Sequence, residues 1–484
     1  MTTISTSVIF TQKNINEFLW PITITSNSEN KPINIVFETD IILTLSTNYF
    51  IIKTTDVYFN GKNKKISLSY IQDYPGLIQN GSVGLGNIVS NGYSNIILKN
   101  IKLFSNNSTQ LTDSFNGWLC QAGFGNSAIN NFITNCHVVA NVYFGGGICG
   151  GYTAYNNGVL YISNSSVQGN LIGSQVGGII GINSPQANGK IYIENTKFIG
   201  DVNGIQSSGL IGPYSCGGSL NEFDSIPSFL TLDNCEFIGN LNENSTSGFV
   251  GMMSASLAGS NILICNCRFI GNINNYNCGG FVGMSSGTFG GIINIIKCSS
   301  DGQINPSPDI NQGGSGGFLA PFCCFEGTIN VIKSTYCGSL NQNFCGGIVG
   351  SSQITQGNVS SPLYGNLTLT SCIVKANIFS NYTGGVIGAN IGFFNNGVNN
   401  GLLQISNSFY KGIIIGEYSA GLIAGLSTYP EDISTWSFND LKISNTEVNA
   451  DVKNTLSLPI MGYGLPPNFY QYSNSINKIK IISN

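Results

Sequence analysis

The sequence predicts an all-β protein: a parallel β-helix, or solenoid, of about ten regular coils of 30–39 residues each, with irregular N-terminal coils and end caps. Two observations carry this. One is a glycine signature, Gly-Gly-aliphatic-aliphatic-Gly, seen at Gly146–Gly150, Gly177–Gly181, Gly346–Gly350 and Gly384–Gly388, and with Phe281 at its third position in Gly279–Gly283. Looser copies sit at Gly209, Gly248, Gly317 and Gly421. The other is a set of columns that fall into register when the repeats are aligned on one small residue: Cys136, Ser165, Thr196, Cys235, Cys267, Cys298, Ser334, Cys372, Ser408 and Thr446.

Three and five residues upstream of that column the positions are aliphatic, with Asn131 the exception. Period-two alternation rich in β-branched residues marks a strand with one buried face. Two residues downstream stand Val138, Val167, Phe198, Phe237, Phe269, Ser300, Tyr336, Val374, Tyr410 and Val448, expected to stack as an apolar ladder. Four downstream only Gly or Ala occurs, and the pattern closes as strand, corner, strand, corner and a Gly-rich third strand. Asn135, Asn164, Asn195, Asn234, Asn266, Asn407 and Asn445 immediately precede the small residue, where a corner in the left-handed conformation suits asparagine.

The chain divides on this reading into 1–130, an N-terminal cap near Ile15–Trp20 with irregular coils; 131–464, the regular repeat; and 465–484, a C-terminal cap or tail. Loops at Gly302–Gly313, Ile354–Gly365 and Ile391–Gly401 are expected to project from one side. Charged residues are only 9% and the net charge is -4, which gives no footprint for nucleic acid. Residues Met1–Asn14 have neither a basic nor an apolar leader region, and no stretch is apolar enough to span a membrane. Synthesis in the cytoplasm without classical secretion is the expectation, and the 14 cysteines are expected to be free thiols.

On these columns and glycines the chain resembles right-handed parallel β-helices of the pectate-lyase-like kind, and its glycine signature is similar to the GLUG repeats of bacterial surface proteins. Its Asn- and Ile-rich character also resembles proteins of large DNA viruses that infect protists. These resemblances imply a structural, adhesive or glycan-binding part.

Catalysis has one geometric candidate. Glu194 and Asp233 share an outward column in adjacent coils, which would bring two carboxylates to the separation used by retaining glycosidases. Lys197, Glu236 and Arg268 form a neighbouring column of alternating sign, so a self-neutralising surface ladder is the preferred reading. Asp201 and Asp451 share a column but lie in distant coils. His137 is the single histidine; Cys136 and Cys120 are the thiols considered near it. Cys265-Asn266-Cys267 and Cys323-Cys324 lack zinc-site spacing, and neither a metal nor another cofactor is expected. Loop aromatics Tyr214, Phe325, Phe393 and Phe394 are candidates for stacking on sugar. The expectation is a non-enzymatic structural or surface protein, such as a virion or fibre component acting in attachment or assembly. Its partners would be other copies of itself, coat or surface proteins, or glycans. The alternative is a glycan-active enzyme or glycan-binding module on the same scaffold.

Overall fold

The computed structural model describes the chain except residues 29–30, 85–88, 106–110, 112–114, 218–225, 309–313, 325, 352–364, 390–392, 396–401, 425–435, 439, 459, 462–479 and 482–484. The protein is an all-β parallel solenoid with almost no helix. It divides into two compact units, Met1–Ile238 and Gly239–Asn484.

In the first unit one sheet stacks Val8–Phe10, Ile33–Phe37, Val57–Asn60, Ile96–Lys99, Asn131–Thr134, Val159–Ser163, Lys190–Glu194 and Phe229–Asp233, each parallel to the next. A second sheet stacks Ile41–Leu43, Lys65–Leu68, Lys102–Ser105, His137–Val139, Ser166–Gln168, Lys197–Ile199 and Glu236–Ile238. The predicted register holds: Ile133, Ile162, Ile193 and Leu232 are successive partners, as are Val138, Val167, Phe198 and Phe237. All are buried, because alternation turns every second side chain inward. Asn131, the polar exception, is buried too, and its side-chain carbonyl accepts the Ile96 amide at 2.9 Å, replacing a backbone acceptor. At the N-terminus a short 3-10 turn, Ile15–Glu17, precedes an aromatic cluster in which Phe10 meets Phe18 at 4.8 Å and Trp20 meets Phe50 at 5.1 Å.

The second unit repeats the scheme. Asn261–Cys265, Ile292–Ile296, Thr328–Ile332, Asn366–Thr370, Leu402–Ser406 and Asp440–Ser444 form one parallel sheet. Arg268–Ile270, Ser299–Asp301, Thr335–Leu340, Ile373–Ile378, Phe409–Ile414 and Glu447–Val452 form the other, joined by Lys480–Ile481. Those last two are the described residues of the expected C-terminal cap. Of the expected projecting loops, residues 309–313, 354–364, 391–392 and 396–401 lie outside the described residues. Phe393–Asn395 pairs antiparallel with Trp436–Phe438.

The glycine-rich side is not a continuous strand. Each signature makes two isolated parallel bridges, such as Gly146↔Gly177 and Cys149↔Ile180, around a bend. A Cβ on Gly177 would strike the Ile180 carbonyl, so this bend is closed by glycine or a small residue, with Ser208, Ser247 and Ala420 taking the place in other coils. The second glycine has a different task. A Cβ on Gly178 would strike the Gly209 carbonyl and the Phe198 ring, and one on Gly385 the Tyr410 ring. The glycine column is therefore the space into which the interior ladder packs. In the second unit the interior gains stacked rings at the third signature position, with Phe249, Phe281 and Phe318 spaced 4.5 and 4.7 Å.

The corner residues have φ near +50°: Asn135 52°, Asn164 50°, Asn195 50° and Asn234 50° in the first unit, Asn266 53° and Asn407 51° in the second. The same corner is present further upstream at Asn63 and Asn100, φ 59° and 58°. Such a corner turns the following amide out of the ladder. The small residue mends this, since the Cys136 amide donates to Ser165 Oγ at 3.1 Å and the Cys372 amide to Ser408 Oγ at 3.2 Å. From Cys136 onward the column therefore favours a small side chain that can also hydrogen-bond, which accounts for Ser, Thr and Cys without Ala. Lys297 and Lys333 occupy this corner at φ 56° and 52°, a conformation that costs a long side chain about 1 kcal/mol and asparagine less. Lys297→Asn and Lys333→Asn are each expected to raise stability by about 1 kcal/mol, read from the urea midpoint at unchanged slope. A fall in the midpoint would show that the lysines themselves contribute.

Candidate functional site

An open, polar groove of about 440 Å³ lies over the asparagine corner of the first unit. Its walls are Asn164, Asn195 and Asn234 on one side and the outward column His137, Ser166, Lys197 and Glu236 on the other. Register places those four as direct neighbours in successive strands, continuing a column that begins at Lys65 and Lys102. His137 Nδ1 lies 2.8 Å from Ser166 Oγ and Nε2 lies 3.1 Å from Asn135 Oδ1. The Asn135 amide Nδ2 donates to Asn100 Oδ1 at 2.7 Å, and Asn234 Nδ2 to Asn195 Oδ1 at 2.5 Å. Partial burial holds the His137 pKa below its ordinary value, and the charges of Lys102 and Lys197 act in the same direction.

Glu194 and Asp233 are direct partners in the first sheet, on the far side of the same corner. Glu194 is exposed and its Oε1 accepts the Asn195 Nδ2 at 3.2 Å. Lys197 faces Glu236 in register, while Arg268, in the second unit, binds Asp301 at 2.9 Å. The Asp201 backbone N–H donates to Asn170 Oδ1 at 3.0 Å, and Asp451 pairs with Lys453 at 2.7 Å. Both are corner or surface groups of their own units. Tyr214 sits at a left-handed turn, φ 60°, and Phe393 and Phe394 lie in the antiparallel strand; Phe325 is outside the described residues.

The partner of His137 is a hydroxyl and not a thiol. Cys136 points inward, its Sγ donating to Thr134 O at 3.5 Å, and Cys120 is hydrogen-bonded to Cys149. Burial pushes the Cys136, Cys345 and Cys372 thiols up to about 12. None of the 14 cysteines forms a disulfide, and only Cys265 and Cys337 are partly exposed. Among the described residues no three His, Cys, Asp or Glu side chains are placed to hold a metal ion. Nor is any described helix long and apolar enough to cross a membrane. The signal for the histidine contact was present in the aligned columns: extending the Lys197 column two coils back places Ser166 beside His137. Lys65 and Lys102 were harder to find, because Lys64 and Ile101 stand where a small residue marks the corner elsewhere.

No protein-family model, no curated protein and no solved structure matches this chain.

Two outcomes are expected. The single histidine should titrate below about 6.5 by proton NMR. Because its folded pKa is depressed, the unfolded chain takes up the proton first as pH falls, so this group's contribution to stability declines between that value and the lower folded midpoint. A midpoint above 6.5 would contradict the burial and the lysine neighbours. Separately, a thiol reagent should modify the native protein at Cys265 and Cys337 and reach the buried cysteines only after denaturation. Rapid native reaction at Cys235 or Cys298 would be incompatible with their packing.

Proposed function

We propose that this protein is a structural solenoid that works at a surface, in attachment or assembly, as a particle or fibre component. The observation that supports this most directly is the recurrent side-chain bonding within each unit, in which corner amides, hydroxyls and thiols tie many strand layers to their neighbours. Asn170 N donates to Asn141 Oδ1 at 2.9 Å and Asn272 N to Asn240 Oδ1 at 3.0 Å, so a second corner is bonded in the same way. Such a frame resists local opening, as a load-bearing or exposed element must. The likeness to GLUG-type surface repeats and to proteins of large protist viruses supports the same setting. A right-handed coil is proposed with it, from the general preference of parallel crossovers. Partners on this reading are further copies of the chain, other coat or surface proteins, and glycans.

Glycan binding has an observation of its own. Phe132, Tyr161 and Tyr192 stack on the outer face of the first sheet at 4.9 and 5.0 Å, and Lys190 lies over Phe229 at 5.6 Å. This gives an outward aromatic stripe ending beside Glu194 and Asp233. Proteomics of purified particles and of surface-labelled cells from the source organism tests the proposal. Enrichment with the particle or surface fraction is expected, whereas recovery solely as a freely diffusing cytosolic species would overturn it.

A further inference from the structure

We propose that Ser166, His137 and Asn135 form an acyl-transfer site that hydrolyses small O-acyl esters of polar alcohols such as acylated sugars. The argument starts from the direction of the hydrogen bonds. Asn135 Nδ2 donates to Asn100 Oδ1 at 2.7 Å, which fixes Asn135 Oδ1 as an acceptor facing the imidazole. His137 Nε2, 3.1 Å from that oxygen, must then carry the proton. Nδ1 is left as the free base, and Ser166 Oγ, at 2.8 Å, donates its proton to it. Nucleophile, base and orienting amide are thus joined in one sense, with the base held by a third group. Both Ser166 and His137 line the groove, so the hydroxyl is open to a substrate.

Charge in the groove favours the same chemistry. Partial burial, with the charges of Lys102 and Lys197 acting in the same direction, lowers the imidazole's pKa and so favours its neutral, proton-accepting form. Lys197 is also the register neighbour of Ser166, where an ammonium can stabilise negative charge developing on a carbonyl oxygen, and Glu236 follows it in the column. In the reaction Ser166 Oγ bonds to the ester carbonyl carbon as its proton passes to His137 Nδ1. Collapse of the tetrahedral oxyanion breaks the bond to the alcohol oxygen, which leaves with that proton. Water then attacks the acyl-serine, again giving a proton to His137, and the serine departs by taking it back. Ester and water become acid and alcohol, with no redox change. The groove is open and walled by the amides of Asn164, Asn195 and Asn234, with no deep apolar recess, which suits a short acyl group on a hydroxyl-rich alcohol. Asn135 is a positioning residue and makes no contact with substrate.

The proposal goes beyond the scaffold reading and fails independently of it, since localisation tests the one and turnover the other. The full chain is assayed with 4-nitrophenyl acetate and labelled with phenylmethylsulfonyl fluoride, with peptide mass spectrometry to locate the label. Label on Ser166 is expected, with hydrolysis falling by at least about 100-fold in Ser166→Ala and in His137→Gln. Circular dichroism and thermal melting identify any variant that fails to fold, and Ser166→Cys, which keeps a nucleophile, should retain acylation. In Asn135→Asp the carboxylate should raise the midpoint of the pH–rate profile while leaving the serine labelled. Equal hydrolysis by wild type and Ser166→Ala, label on another residue, or a midpoint unmoved in Asn135→Asp would each overturn the assignment.

Discussion

The constraint on which the rest of this structure depends is the backbone hydrogen bond lost at each left-handed corner. A parallel stack bonds every strand to its neighbours, but a residue with φ near +50° turns the next amide away from the ladder. The remedy is a short side chain from the following layer. Ser165 Oγ accepts the Cys136 amide and itself donates to Ser163 O at 2.8 Å, so one hydroxyl serves two layers. Another corner uses the same device: the Thr383 amide donates to Ser419 Oγ at 3.1 Å, after Tyr382 at φ 53°. Composition follows from this. Asparagine, serine, threonine and cysteine accumulate because corners, and not only the surface, consume them.

Cysteine fits that scheme as a compact hydrogen-bonding residue. The Cys267 amide donates to Cys298 Sγ at 3.4 Å, and Cys298's own amide to Ser334 Oγ at 3.2 Å, so sulfur and oxygen alternate in one ladder. Burial pushes the Cys136 and Cys372 thiols of this column up to about 12 and keeps them protonated, which suits a donor in the interior and opposes nucleophilic use. Interior volume is set by the same economy of space: removing Cβ from the signature glycines admits the Phe198, Tyr336 and Tyr410 rings. Ring and glycine therefore have to change together.

Stacking also concentrates chemistry. Residues about 30 positions apart become neighbours in a column, so an outward histidine meets whatever the next coil carries. In the first unit that neighbour is Ser166, and the asparagine ladder beneath it orients the ring. The Glu194 and Asp233 pair on the other side of the corner is equally a product of register, with Asn195 tethering one carboxylate. A low charge content does not forbid a site under such conditions, because a column needs only one residue of each kind.

The sequence by itself determined the parallel solenoid, the inward columns and the corner asparagines, since period-two alternation and small-residue signatures are local and repeat in register. It also placed Glu194 beside Asp233, which follows from alignment alone. Only the tertiary structure decided three matters. The glycine signature bends instead of running as a strand, because carbonyls fold back over Gly177. The corner extends upstream to Asn63 and Asn100, where Lys64 and Ile101 conceal it. And the proton order through Asn100, Asn135, His137 and Ser166 depends on amide orientation and side-chain distance, which no spacing in the chain encodes.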